Sequence, residues 1–296
     1  AVDNRIHEGG VFTGGAAEAP TVDQADLIIL AGLDPVELIL QPWRYAAPVL
    51  DIGAIRHGPH YVTPQAGLYG PLPALLETLL PAARVGEWGI EEVASLRADM
   101  ADAVRFPAGN GLDPVGIVTE AAAVFGSRAR IAVDAGAHMF SATAFWPANA
   151  PRDLLISNGL ASMAFALPAA IAAALAEPER RCLAFTGDGG LMMCLGELGT
   201  ASQYGAPVTA IVFNDGALSL IDIKQQSRGM APAGVRWPKA DFAAVAQGFG
   251  CTAWRVETPE AYRAALKDAA ATPGPSLIDV VIDPSGYKTQ LKAMRG

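Results

Sequence analysis

The sequence predicts an α/β protein built on a doubly wound parallel sheet. Three observations carry this expectation. Short apolar runs such as "RIAVDAG", "RCLAFTG" and "PVTAIVFND" end in an acid or a glycine and are apolar almost throughout, as strands buried on both faces are. Helical patterns separate them. Strict alternation of strand and helix with short connections requires right-handed crossovers and a sheet covered on both sides.

In chain order, "ADLIILAG" (25–32) and "APVLDIG" (47–53) read as buried parallel strands separated by Pro- and Gly-rich loops. Helical patterns follow near 71–83 and 89–104, and the punctuated stretch "FPAGNGLDP" (106–114) marks a domain boundary. Beyond it the reading is helix 114–126, strand 130–136, helix 161–176, strand 181–187, helix 194–204 and strand 207–215. Helices near 218–227, 241–248 and 259–271 complete the series, with strands "CTAWRVE" and "SLIDVVID". No internal repeat or low-complexity tract interrupts it, apart from richness in alanine.

A length of 296 residues with 51% hydrophobic content favours two domains with sizeable cores. A net charge of −9 and a pI near 4.9 offer no basic stripe for a phosphate backbone, so no nucleic-acid partner is expected. Cys182, Cys194 and Cys251 are widely spaced in apolar surroundings, which fits reduced thiols in a cytoplasmic protein better than disulfides or a zinc cage. The start, "AVDNRIHEGG", has no initiating Met and no export pattern, and reads as cut from something longer. Residues 159–176 carry no charge over eighteen positions, ~27 Å if helical. Pro168 in their midst and the following "EPERR" favour a buried helix over a membrane span.

Ligands of such sheets bind outside the carboxyl ends of the strands. Asp134, Asp188 and Asp215 each lie at that end of a predicted strand. Any one of them alone reads equally well as a turn residue or a helix N-cap. Together they suggest a cation site. Magnesium takes six oxygens and shares them readily with phosphate. Asp188 and Asp215 supply carboxylates, and a backbone carbonyl just past Gly216, at Ala217, supplies a third oxygen. Gly187, Gly189 and Gly190 would let the backbone approach phosphate oxygens at a helix start.

"GDGG" followed by "NDG", with Asp188 and Asp215 twenty-seven positions apart, resembles the cofactor motif of thiamine-diphosphate enzymes, which runs from GDG to a pair of asparagines at that spacing. Upstream, "SNGLASMAFALPAAIAAALA" is similar to the acetolactate synthase-like members. The resemblance implies that Met163 props the cofactor in its bent form, that the Ala161 carbonyl, with Ser162 beside it, accepts from the aminopyrimidine, and that Ala137 and His138 of "DAGAHMF" touch the diphosphate. It further implies a diphosphate-binding domain over 111–296, a helical linker over 86–110 and part of a Rossmann-like middle domain over 1–85. The family's pyrimidine-binding domain, with its activating glutamate, has no counterpart in these residues, so a further segment or another subunit of a homodimer or tetramer is expected to supply it. Glu197, just past the metal loop, is the first internal candidate for that acid.

Two departures qualify the resemblance. Asp215 stands where the family has its second asparagine, and an added carboxylate about 4 Å from another charge costs roughly 4 kcal/mol at an effective dielectric near 20 unless a cation lies between them. Lys224 stands where acetolactate synthases have a tryptophan that favours a larger keto acid. With Leu220 and Ile221 on the same helical side, Lys224 either meets an anionic substrate or is a solvated lysine. The resemblance implies a thiamine diphosphate- and Mg2+-dependent lyase or carboligase for a 2-keto acid. A 2-hydroxyacyl-CoA or benzoin-type lyase and a noncatalytic diphosphate-binding chain are the alternatives. An NAD oxidoreductase is disfavoured because no G-x-G-x-x-G follows a strand.

Overall fold

A computed structural model describes residues 6–7, 10–11, 18–32, 43–58, 62–84, 88–106, 109, 111–126, 128–157 and 160–295. Gly159, at the head of the weighed apolar span, and residues 107–108 and 110 of the expected boundary loop lie outside them. The chain divides into two compact units, one made mainly of residues 105–291 and the other of residues 7–104.

The earlier unit opens with a two-residue strand pair, β1 (Ile6–His7) and β2 (Gly10–Val11), and helix α1 (Ala19–Val22). Its sheet holds three parallel strands in the order β3 (Ile28–Ala31), β4 (Val49–Gly53), β5 (Ala66–Tyr69). The central strand buries Val49 and Ile52. Helices α2 (Leu72–Leu79) and α3 (Ile90–Ala103) follow, the latter with Glu91 and Glu92 in its first turn, where the helix dipole favours acids. Strand β5 was not anticipated, because "AGLY" is too short to show a period.

The later unit begins with α4 (Pro114–Phe125), whose start is written into the sequence: Pro114 has no N–H to lose, and the Asp113 carboxylate accepts the Gly116 N–H at 2.9 Å. The chain continues through β6 (Arg130–Val133), α5 (His138–Phe145), β7 (Leu154–Ile156), α6 (Ala166–Ala176), β8 (Cys182–Gly187), α7 (Asp188–Met192), α8 (Glu197–Gln203) and β9 (Val208–Asn214). It ends with α9 (Ser219–Ser227), α10 (Phe242–Gly248), β10 (Thr252–Val256), α11 (Pro259–Ala271), β11 (Ser276–Val281) and α12 (Tyr287–Arg295). The six strands are all parallel, in the order β10-β11-β9-β8-β6-β7, which is the doubly wound α/β fold the sequence predicts.

The period of two along each strand sorts the core into two faces. Ile131, Val133, Leu183, Phe185, Ile211 and Phe213 belong to one cluster, together with residues of α4 and α11. Ala132, Cys182, Ala184, Ala210 and Val212 belong to the other, with α6. That second face is small-residued on both sides, so the alanine-rich α6 can lie close against it. Truncating a wholly buried side chain of the first face, such as Phe185, would cost roughly 3–5 kcal/mol.

Two expectations need correction. The helix expected over 161–176 starts only at Ala166, because Ala161 and Ala164 hold positive φ angles of 47° and 61°, which no helix tolerates. The helix expected over 194–204 is α8 alone, preceded by α7, a separate five-residue helix. No helix among the described residues is long and apolar enough to cross a membrane, and α6 has 11 residues.

The chain runs from β6 outward to β7, then returns past β6 to β8 on the opposite side. A crevice opens at such a reversal, outside the carboxyl ends of the strands. Residues 134–138, 187–190 and 214–217 leave the sheet there.

Candidate functional site

Asp134, just past β6, is 1% exposed and fully engaged. Its carboxylate accepts the Phe165 and Ala166 N–H groups at 2.7 and 2.6 Å, the Ala164 N–H at 3.2 Å and the Thr186 hydroxyl at 2.6 Å. Asp134 therefore caps α6 from a distance, and of its two sequence readings the capping one holds. The bond fixes the turn that carries Ala161, Ser162 and Met163, and the Ser162 carbonyl also accepts the Ala135 N–H at 3.3 Å. A methyl group at Gly190 would lie 2.3 Å from the Asp134 carboxylate, so that glycine is required by a protein neighbour.

Asp188 opens α7 and is also 1% exposed. One of its oxygens accepts the Gly189 N–H at 2.8 Å and the other the Gly216 N–H at 2.7 Å, which ties the two acidic loops together. Burial, then repulsion from Asp215, pushes its carboxyl up to about 7. Asp215 is likewise raised by burial, against the pull of the Ser219 hydroxyl, the Ala217 N–H and the Lys239 ammonium. Two desolvated acids, one of them raised further by the charge of the other, are residues that could hold a cation.

The loop past Asp215 is tightly constrained. Gly216 has φ 76°, and a methyl there would meet the Trp237 carbonyl at 2.7 Å. The Gly216 carbonyl accepts the Trp237 N–H at 2.9 Å and Val235 accepts from Leu218, whereas the Ala217 carbonyl takes no hydrogen bond among the described residues. That leaves the oxygen of Ala217, two residues past Asp215, able to accept from or ligate another group. No third acidic, histidine or cysteine ligand joins them among the described residues, so any further oxygens must come from a ligand or from water.

Around the pair, buried polar atoms stand without partners. Among the described residues five such side-chain atoms exist, and three of them, His138 Nε2, Asn214 Oδ1 and Trp237 Nε1, belong to this crevice. The His138 ring stacks on Phe213, with centroids 5.1 Å apart, and lies against Gly136 and Gly187. Burial pushes its pKa down to about 4, although the Asp134 charge and the Phe185 carbonyl oppose this, so the imidazole is neutral at pH 7. Ala137 is the residue before α5, which His138 opens. The Met163 methyl lies 3.4 Å from the place a Gly189 side chain would take, so the 161–163 turn and the GDGG turn meet.

The expected substrate residues are less assembled. Leu220 packs against the core, whereas Ile221 is 42% exposed and Lys224, in the last turn of α9, is exposed. Glu197 lies in the first turn of α8, where its charge acts on Cys194. Sequence reasoning missed Trp237, Lys239 and Tyr287. The last is fully buried, and its phenol is raised first by burial and then by the charges of Asp215 and Asp188. No motif marks these residues, since they reach the site by tertiary packing.

Comparison with known proteins gives this geometry a family. Residues 134–280 match the family described as "Thiamine pyrophosphate enzyme, C-terminal TPP binding domain". The chain is 36% identical over 230 residues to acetolactate synthase isozyme 1 large subunit of Escherichia coli, covering 74% of this chain and 40% of that protein. Against the catabolic acetolactate synthase of Raoultella terrigena the figures are 30% over 285 residues, 93% and 50%. Among solved structures, a thiamine diphosphate-dependent 4-hydroxybenzoylformate decarboxylase of Rhodococcus jostii superposes with a TM-score of 0.73 at 25% identity, covering 94% of this chain and 53% of that one. The chain thus spans about half the length of the relatives it matches.

Proposed function

Because this chain belongs to the acetolactate synthase-like thiamine diphosphate enzymes, we propose that it holds the diphosphate end of that cofactor through a magnesium ion, in an enzyme that decarboxylates or joins 2-keto acids. The observation that carries the reading is the pair of Asp188, buried, and Asp215, half-buried, both raised by burial and Asp188 further by the Asp215 charge, with the buried Trp237 N–H beside them left without a partner. A divalent ion would relieve the repulsion, held by Asp188, Asp215 and the Ala217 carbonyl and shared with phosphate oxygens. Backbone N–H groups at Gly187, Gly189 and Gly190 and the edge formed by Ala137 and His138 would face the phosphates. Met163 and the Ala161 carbonyl, on the turn that Asp134 clamps, would meet the ring portion.

When bound, the cofactor would supply the carbon nucleophile and electron sink that decarboxylation or joining of keto acids requires. This chain's residues bind and orient. Ile221 and Lys224, exposed on α9, would face the substrate, with the ammonium suited to a carboxylate. Residues 1–85 would be the later part of a middle domain and 86–110 a helical linker, and the pyrimidine-binding part would come from a further segment or a second subunit of a homodimer or tetramer. The three free cysteines fit a reducing, cytoplasmic setting.

Titration calorimetry tests the reading: thiamine diphosphate should bind in the presence of Mg2+ and not in excess chelator. Binding that ignores the chelator would refute the metal assignment. This chain alone should exchange the C2 proton of thiamine diphosphate no faster than the free cofactor does, because general acid–base help worth roughly 10²- to 10⁴-fold is absent. Fast exchange would point to Glu197.

A further inference from the structure

The segment 228–240 crosses the loop that carries Asp215, and it is pinned there residue by residue. Arg236 clasps Asp222 of α9 through two nitrogens, each 2.8 Å from the same carboxylate oxygen. Val235 and Trp237 pair with Leu218 and Gly216 through backbone bonds of 2.9 Å each, and Ala240 accepts from the Asn214 amide at 2.9 Å. A strap held at so many points has little freedom to move its side chains.

Two of those side chains are placed against the acidic pair. The Trp237 ring lies over the GDGG turn, its Cη2 3.3 Å from the position of a Gly189 side chain. Its Nε1–H is buried and has no hydrogen-bond partner among the described residues. That N–H is near enough to Asp188 to favour its charged form, yet outside hydrogen-bond geometry. A buried donor left unpaired costs about 1–3 kcal/mol, so it is expected to find an acceptor in the working state. Lys239 lies over Gly216, its Cγ 3.3 Å from the position of a side chain there, and its charge reaches both Asp215 and Asp283.

We propose that this strap is the outer support of the cation site, Trp237 holding the Asp188 carboxylate toward the ion through its indole N–H and Lys239 offsetting the charge of Asp215 when no ion is present. The inference rests on the metal reading above. Asp215 brings one more negative charge than an asparagine would, and Lys239 is the nearby cation that makes it tolerable in the empty site. The two residues therefore act on metal affinity in opposite directions. Trp237 aids binding by orienting a ligand, while Lys239 opposes it by repelling the incoming ion.

Opposite signs are what the test reads. Free Mn2+ would be followed by electron paramagnetic resonance in titrations of the 296-residue chain, with melting temperature measured alongside in chelator. Trp237→Phe keeps the ring and deletes the N–H, and should weaken Mn2+ binding about 10-fold, the lower end of what loss of an outer partner costs. Lys239→Met, at an exposed position, should tighten it several-fold. In chelator, Trp237→Phe should melt at or slightly above the parent chain and Lys239→Met slightly below it. Mn2+ affinity unchanged in Trp237→Phe, or a fall of both variants in step with melting temperature, would overturn the proposal while leaving the metal site standing. A parent chain that binds no Mn2+ would overturn the metal reading and this inference with it.

Discussion

The two edges of the six-stranded sheet carry charge in opposite ways. At the amino ends of the strands Asp153 and Glu177 are each matched by a base. Arg130 donates to Glu177 at 2.9 Å and to the Arg152 carbonyl at 2.8 Å, and Arg180 reaches Asp153 at 2.5 Å. Burial pushes the Asp153 carboxyl up, but Arg180 and the Asn149 and Ala150 N–H groups outweigh it and hold the carboxyl below its usual range. At the carboxyl ends, Asp188 is pushed up to about 7 and three polar atoms lack partners. At the first edge both acids are ion-paired by folding alone. At the other, Asp188 and Asp215 have no ion-pair partner among the described residues.

The sharpest way to break this contrast is Asp188→Ala. If the carboxyl edge is a cation site, the change should abolish Mg2+-dependent thiamine diphosphate binding, a larger loss than the roughly 10- to 100-fold that removal of an outer partner costs. Calorimetry at saturating Mg2+ reads it directly. Retained binding would mean that the raised carboxylate serves folding after all.

The second way uses pH. Asp188 has a folded pKa near 7, above the ~3.9 of an unfolded chain, so its contribution to stability is complete below about pH 4 and is lost as pH rises toward 7. In the metal-free protein the loss should be on the order of 3–4 kcal/mol. Asp153 behaves in the opposite sense, its contribution being present above the unfolded pKa and lost as pH falls. Urea denaturation between pH 4 and 8 should therefore show stability falling with pH in chelator and much less so in Mg2+. Identical curves with and without the ion would remove the distinction between the edges.

At the amino edge, Arg180→Ala should cost about 2–3 kcal/mol, since it strips a charged hydrogen bond from a buried carboxylate that keeps its two N–H donors. Thiamine diphosphate affinity should not change. A stability loss with altered binding would show that the edges are coupled.

How far each edge was legible in the sequence follows from the same contrast. The strands and most helices of the later unit were readable because apolar runs and periods are local, and Asp188 and Asp215 were readable because glycines flank them. Asp134 was read with them as a strand-end acid, and only the fold shows its carboxylate spent on capping α6 from thirty residues upstream. The α5 and β7 segments escaped because "HMFSATAF" is apolar all round and "LLI" is too short for a period. Trp237 and Lys239 escaped because strap residues act across tertiary distance and leave no spacing to read. Gly189 and Gly190 were read as room for phosphate, yet each also lies against a protein neighbour, Leu218 and Asp134 respectively.

The smallest expected effect, Asp215→Asn, probes how much charge the carboxyl edge needs. The amide keeps one oxygen for the ion and a polar contact for Ser219, so the loop should keep its shape. Losing the charge acts twice. It weakens attraction for the cation, and it removes repulsion both from Asp188 and from an incoming diphosphate. The two effects offset each other, so cofactor affinity at saturating Mg2+ should stay within about 5-fold of the parent, whereas the Mg2+ concentration for half-saturation should rise by about 10-fold or less. The metal-free protein should also gain stability near pH 7, because a carboxyl raised by burial no longer has to ionise in the fold. Calorimetry at low and high Mg2+ separates these terms. Loss of binding as complete as in Asp188→Ala would show that the site depends on both charges and that an asparagine there cannot serve this chain.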